Sequence, residues 1–174
     1  MKKIFLIGLI LALAVLAGGC ASAKPKIYVP ESELPKTKFV VVEVTTYKEF
    51  KVDKEKDEVV YNEPIDEEYG KVFGNTFKKE LQERGFIVMP EIPAKDNPSF
   101  LIVRVYMANS APPVPFITNG YIISTTLIYN QMGKLILRLN GITLTSSLIT
   151  TPSHMVKVKL APYLAELIVE KFLK

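Results

Sequence analysis

The stretch Tyr121–Leu148, YIISTTLIYNQMGKLILRLNGITLTSSL, decides the fold. Tyr121 to Tyr129 is β-branched and aromatic throughout, and Lys134 to about Leu148 repeats that composition. Between them Asn130 to Gly133 is short, polar and closed by a glycine, the composition of a tight hairpin turn. Two long antiparallel strands are therefore expected, and a sheet becomes the framework for the rest of the chain. Within the second strand Leu135, Leu137 and Leu139 fall on odd positions, whereas Ile142 and Leu144 fall on even ones. A bulge at Asn140 and Gly141 is expected to return the apolar set to the core.

Working outward, FLIVRVYM at Phe100–Met107 sets Leu101, Val103, Val105 and Met107 on one strand face. FVVVEVTTY at Phe39–Tyr47 does the same with Val40, Val42 and Val44, leaving Glu43 and Thr45 on the other. Phe86 to Met89 reads as a short strand ended by Pro90 and Pro93. The charge cluster KVDKEKDE at Lys51–Glu58 reads as a solvated loop or hairpin tip.

Two segments change period from two to 3.6. After Asp66, a candidate N-cap with Glu67 and Glu68 in the first turn, the residues Tyr69, Val72, Phe73, Phe77 and Leu81 recur at helical spacing up to Gly85, a C-cap glycine. Gly70 and Gly74 either bring this helix close to a sheet or are merely tolerated. A second helix begins near Pro162 and turns Leu164, Leu167, Ile168 and Phe172 inward. Met155 to Leu160 is compatible with a strand or with an extension of that helix. The expected fold is a two-layer α+β sandwich: an antiparallel or mixed sheet of about four to five strands with both helices on one face.

The chain of 174 residues opens on Lys2 and Lys3, an apolar run Ile4–Ala17 and the small residues Ala17, Gly18 and Gly19. That is the plan of a secretory signal, and the run is shorter than the roughly 20 residues that span a bilayer. Removing residues 1–19 leaves roughly 155, within the range of one domain. Residues 20–38, with Pro25, Pro30 and Pro35, are expected to form a tether, and 39–174 the domain. The formal charge of +4 falls to about +2 without Lys2 and Lys3, and it is scattered, which excludes a nucleic-acid surface.

LAGGC at Leu16–Cys20 resembles the lipobox of bacterial lipoproteins. That resemblance implies cleavage between Gly19 and Cys20 and a diacylglyceryl group on the Cys20 thiol, with Ala17 standing where the family has a large aliphatic residue. Cys20 is the sole cysteine, so no internal disulfide is available. Ala21 follows it rather than an aspartate, and the resemblance then implies an outer membrane, facing the periplasm. The element order is similar to that of the lipopolysaccharide-assembly lipoprotein of the outer-membrane translocon and of auxiliary lipoproteins of lipid-transport ABC systems.

Chemistry is sparse. His154 is the sole histidine, which disfavours a zinc or copper site and leaves a Ser-His-Asp triad without a nucleophile elbow. Asp66, Glu67 and Glu68 suit a helix N-terminus, and no phosphate-binding glycine loop is present. No catalytic residue, metal or other cofactor is expected. In APPVPFITNGY, Ala111–Tyr121, the apolar Val114, Phe116 and Ile117 are stiffened by prolines and are candidates for contact with a partner or a membrane. Ser124, Thr125, Thr126, Thr143, Thr145, Ser146 and Ser147 are expected to face outward on the sheet. The expected function is a non-catalytic, lipid-anchored accessory that binds a membrane complex or lipid-related cargo. The alternative is a structural envelope protein that self-associates or binds peptidoglycan.

Overall fold

The computed structural model describes residues 21–53, 58–93, 99–110, 120–145 and 151–174. In chain order the strands are β1 (Ala21–Ile27), β2 (Phe39–Tyr47), β3 (Phe50–Asp53), β4 (Glu58–Tyr61) and β5 (Pro64–Ile65). Helix α1 (Glu68–Glu83) follows, then β6 (Ile87–Met89), β7 (Phe100–Ser110), β8 (Gly120–Asn130) and β9 (Leu135–Thr145). The chain ends in α2 (Pro152–Met155), a π-helical turn (Val156–Leu160) and α3 (Ala161–Phe172).

The sheet has seven strands rather than four to five, in the order β1-β9-β8-β7-β2-β5, with β6 also on β2. It is mixed, because β2 runs parallel to both β6 and β7 while the other pairs are antiparallel. Of the two strands not expected, β5 is very short and the other is a correction of substance. Residues expected to be a tether instead supply β1, which pairs with β9 from Ala21 opposite Thr143 to Ile27 opposite Leu137. Beyond it Val29 and Leu34 pack on the core. Proline does not prevent this at an edge, where one side of the strand needs no N–H donor, and Pro25 with Lys26 blunts that edge against further pairing.

Both helices lie on one face of the sheet, in a single core. Phe73, Phe77 and Leu81 of α1 and Leu164, Ile168 and Phe172 of α3 meet Val103, Val105, Leu137 and Leu139 there, all almost fully buried. At roughly 1.5–3 kcal/mol for each such side chain, this layer dominates the favourable side of folding. Gly85 (φ 102°) closes α1 as expected. The Phe86 N–H donates to the Leu81 carbonyl at 3.0 Å and the Gly85 N–H to that of Gln82 at 3.0 Å, which is a Schellman cap. The other end differs from expectation. Glu67, not Asp66, is the N-cap residue and its side chain makes no cap bond, while Asp66 pairs with Lys71 at 2.7 Å.

The bulge is displaced. Register is unbroken through Asn140 and Gly141, which face Thr125 and Ser124, and the irregularity falls where Ile128 pairs with Leu137 but Tyr129 with Leu135. Ile136 is the extra residue and is buried. Leu135 is thereby sent to the face away from the helices. Strict alternation from Leu137 then puts Thr143 inside and leaves Ile142 47% exposed. For the same reason Ser124, Thr126 and Thr143 are buried on the helix face, contrary to the outward placement expected of them. Segment 155–160 is helical. Its π-turn passes the Ala161 N–H to the Val156 carbonyl, a wider step that accommodates Pro162, which has no N–H to give.

Candidate functional site: a tyrosine-lined cleft

The face of the sheet opposite the helices carries the other half of each alternating pattern. From β2 come Glu43, Thr45 and Tyr47, from β7 Arg104 and Tyr106, from β8 Thr125 and Leu127, and from β9 Arg138 and Asn140. Four residues of β3 pair with four of β4, and this hairpin lies over part of that face. Tyr61, the last residue of β4, makes the attachment. Its ring lies 5.0 Å from that of Tyr47 and 6.1 Å from that of Tyr106, and the Tyr47 and Tyr106 rings are 6.0 Å apart. Phe50, paired opposite Tyr61 at the same open end of the hairpin, meets Tyr121 edge-on at 6.1 Å.

Under the aromatic cluster runs a polar chain. The Tyr61 hydroxyl is 3.1 Å from the Tyr106 carbonyl oxygen and 3.0 Å from Thr125 Oγ1. It has one proton and donates to one of them, and Thr125 can donate in return. Thr125 Oγ1 is 3.4 Å from Asn140 Oδ1, which accepts from Arg138 Nε at 3.1 Å. Burial holds the Tyr61 phenol well above the usual tyrosine range, and burial also raises that of Tyr106. Both are neutral donors at physiological pH.

A cleft of about 380 Å³ opens beside this network, with Tyr47, Tyr61 and Tyr106 on one side and Tyr28, Leu127 and Leu135 on the other. Thr125 and Arg138 also line it, and Arg138 brings the only formal charge among the described lining residues. Aromatic walls with a few converging donors are the chemistry of a ligand-binding cleft. A larger groove of about 540 Å³ follows the seam between α1 and the β2–β5 edge. There Asp66 and Lys71 neutralise one another, and the hydroxyl of the buried Thr46 is already taken up by the Ile65 carbonyl and the Glu67 N–H.

Gly19, Cys20, Val114, Phe116 and Ile117 lie outside the described residues, so the geometry does not bring them to this cleft or keep them from it. His154 is exposed in α2, where its N–H donates to Thr151 Oγ1 at 3.2 Å. Among the described residues no group of three or more His, Cys, Asp or Glu side chains could hold a metal ion, and no helix is long and apolar enough to cross a membrane. The tyrosines were missed in the sequence, although a signal was there. The alternation that buries Leu101, Val103, Val105 and Met107 also aligns Arg104 and Tyr106 on the reverse face, an aromatic and basic pairing that calls for a ligand or a cover.

No family model matches the chain, and no curated protein does. Solved structures do match. A point variant of the PelC dodecamer from Paraburkholderia phytofirmans superposes with a TM-score of 0.54 at 11% identity, over 88% of this chain and 99% of that one. The chain is similar in fold to PelC. A second PelC dodecamer crystal from the same organism gives 0.50 at 14% identity, over 84% of this chain and 96% of PelC. A DUF4136 family protein from Bacteroides thetaiotaomicron is more distant, at a TM-score of 0.40 and 8% identity, over 86% and 92% of the two chains. At such identities the likeness to PelC is one of fold, and it does not carry PelC residues across.

Proposed function

We propose that this chain is an exported, lipid-anchored protein of the bacterial cell envelope that acts without catalysis, as a binding module held beside its partner. The observation that carries the reading is a leader ending in Leu16–Cys20, LAGGC, joined directly to a strand of the folded domain. Lipid on Cys20 would then sit one residue from the sheet instead of at the end of a long tether. Register supports a defined orientation. Ala21 pairs with Thr143, Ser110 with Tyr121 and Gly120 with Thr145, so the anchor and the segment containing Val114, Phe116 and Ile117 both leave from the same end of the sheet. Two acyl chains suffice for stable attachment, and tethering raises the effective concentration of a modest binding surface. With Ala21 after the cysteine, the outer membrane facing the periplasm is the location we assign.

A second reading, a structural envelope protein that self-associates, is favoured by the dodecameric state of the PelC chains that share the fold. Peptidoglycan binding belongs to the same alternative and would show as co-sedimentation with purified sacculi.

Mass spectrometry of the protein from its bacterial host tests the anchor. The expected N-terminus is Cys20 with a diacylglyceryl thioether, and Cys20→Ser should shift the protein out of the membrane fraction. An intact leader, or a mature N-terminus with an unmodified thiol, would refute it. Crosslinking in cells tests the module: recovery of an envelope partner is expected, and a monomer with none counts against it.

A further inference from the structure

We propose that the open edge of β2 beside α1 takes up the extended C-terminal peptide of a partner protein as an added antiparallel strand, with its free carboxylate held at Lys78. The inference rests on the reading of this chain as a binding module and names what the module grips. Two short strands share that edge and leave a gap between them. β6 pairs with Phe39, Val40 and Val41 and β5 with Thr46 and Tyr47, so Val42, Glu43, Val44 and Thr45 have no strand on that side among the described residues, a stretch of roughly 13 Å. On this edge the Lys38 carbonyl accepts the Ile87 N–H and the Lys48 N–H donates to the Glu63 carbonyl, so the even-numbered residues of β2 turn their backbone groups this way. Val44 therefore presents an N–H and a carbonyl to the groove of about 540 Å³ along α1. A backbone donor and acceptor at strand spacing are answered by another extended backbone.

The gap selects a chain end. β5 and β6 stand in line with any strand added between them, so a continuous chain has to bend out at both ends, whereas a terminus bends out at one. Charge sets the direction. α1 starts beside Thr46, with Glu67 and the Asp66–Lys71 pair at the β5 end, and passes Gly74 against Val44 before Lys78 lines the groove one turn nearer β6. Lys78 has no acidic partner among the described residues, so it is the charge there that meets a carboxylate. The incoming chain then runs with its C-terminus towards β6, antiparallel to β2. Gly74 sets the side-chain preference. The residue opposite Val44 turns its side chain to the same face, towards α1, where Gly74 has none to crowd it, and an apolar β-branched residue suits that position.

A phage library displaying random heptapeptides with free C-termini, panned against the full chain in detergent, supplies the probes. An enriched sequence is then synthesised with an N-terminal fluorescein and titrated by fluorescence anisotropy. Saturable binding is expected, weakened about tenfold by amidating the terminal carboxylate and likewise by Lys78→Ala, an exposed position whose change leaves the fold intact. Gly74→Leu should abolish binding by filling the groove, with melting curves to verify that this variant is folded. N-methylation of successive peptide amides should weaken binding at every second position, the mark of strand pairing. Failure to enrich any sequence, binding indifferent to amidation and to Lys78→Ala, or N-methylation without alternation would overturn the inference. So would an envelope partner crosslinked in cells as strongly by the Lys78→Ala and Gly74→Leu chains as by the unaltered one, a result that leaves the binding-module reading standing.

Discussion

Gly70 of α1 lies so close to Thr46 of β2 that a β-carbon at position 70 would come within 2.4 Å of the Thr46 γ-methyl. Thr46 cannot easily swing away. Its hydroxyl donates to the Ile65 carbonyl and accepts the Glu67 N–H at 3.3 Å, so it ties together β2, β5 and the start of the helix. Gly70→Ala therefore sets a gain of about 1 kcal/mol in helix propensity against overpacking that costs about 1–3 kcal/mol. Net destabilisation is expected in urea unfolding. Adding Thr46→Ser, which keeps the hydroxyl and removes the methyl, should restore most of the loss. A stabilised Gly70→Ala protein would show that the helix is free to move off the sheet. Gly74, by contrast, has only an ordinary 3.5 Å approach to Val44, and Gly74→Ala should be neutral or stabilising.

Thr126 and Thr143 hold buried hydroxyls with no hydrogen-bond partner among the described residues. An unsatisfied buried hydroxyl costs on the order of 1–3 kcal/mol. Thr143→Val, nearly the same in shape, should raise stability by about 1 kcal/mol, which differential scanning calorimetry would register as a higher Tm. A lower Tm would mean that the hydroxyl is satisfied after all, by water.

How far the sequence discloses this molecule depends on whether a signal is local. The β7 and α1 core faces are readable because Leu101, Val103 and Val105, or Phe73, Phe77 and Leu81, repeat at the period of their own element. Gly85 is readable because a cap glycine has a fixed place relative to its helix. The β1 strand is not, since nothing in SAKPKI shows that β9 lies alongside it, and the prolines argue for a linker unless its edge position is already known. The misplaced bulge has a similar cause: Ile142 was assumed to be inside because it is apolar, whereas pairing with β8 decides the phase, and it buried Thr143 instead. The cleft is the least legible feature. Tyr47, Tyr61 and Tyr106 are separated by 14 and 45 residues and meet only when the β3–β4 hairpin turns back over the sheet, a tertiary event with no period of its own.

Alkaline pH should unfold the protein through its buried phenols. Burial, and secondarily the charge of Glu67, pushes the Tyr69 hydroxyl from about 10 up to about 12, and burial raises Tyr61 in the same direction. A folded-state value above the unfolded one means that stability is intact below pH 10 and falls as pH rises from there towards 12. Tyr69→Phe removes one of these groups and should move the alkaline unfolding midpoint upward, as followed by circular dichroism. Tyrosinate absorbance in the intact protein should rise late and together with unfolding. An unchanged midpoint in Tyr69→Phe would mean that this phenol ionises without disturbing the fold.

The hairpin is fastened to the sheet by the side chains of Tyr61 and Phe50 rather than by strand pairing, and that makes its attachment separable from the stability of the whole. Tyr61→Phe keeps the ring contacts with Tyr47 and Tyr106 and deletes the hydroxyl that reaches the Tyr106 carbonyl and Thr125. One hydrogen bond of this kind contributes about 1 kcal/mol, and a loss of that size speeds local opening about fivefold. Because β3 and β4 pair with each other and with no strand of the large sheet, the loss should be confined to them. Amide hydrogen exchange is expected to quicken at Lys51–Asp53 and Val59–Tyr61 while Val103, Val105 and Leu139 exchange as before. Faster exchange across β7 and β9 as well would show that the hairpin unfolds with the core and is not a separate cover over the cleft. No change anywhere would show that the stacked rings hold it without the hydroxyl.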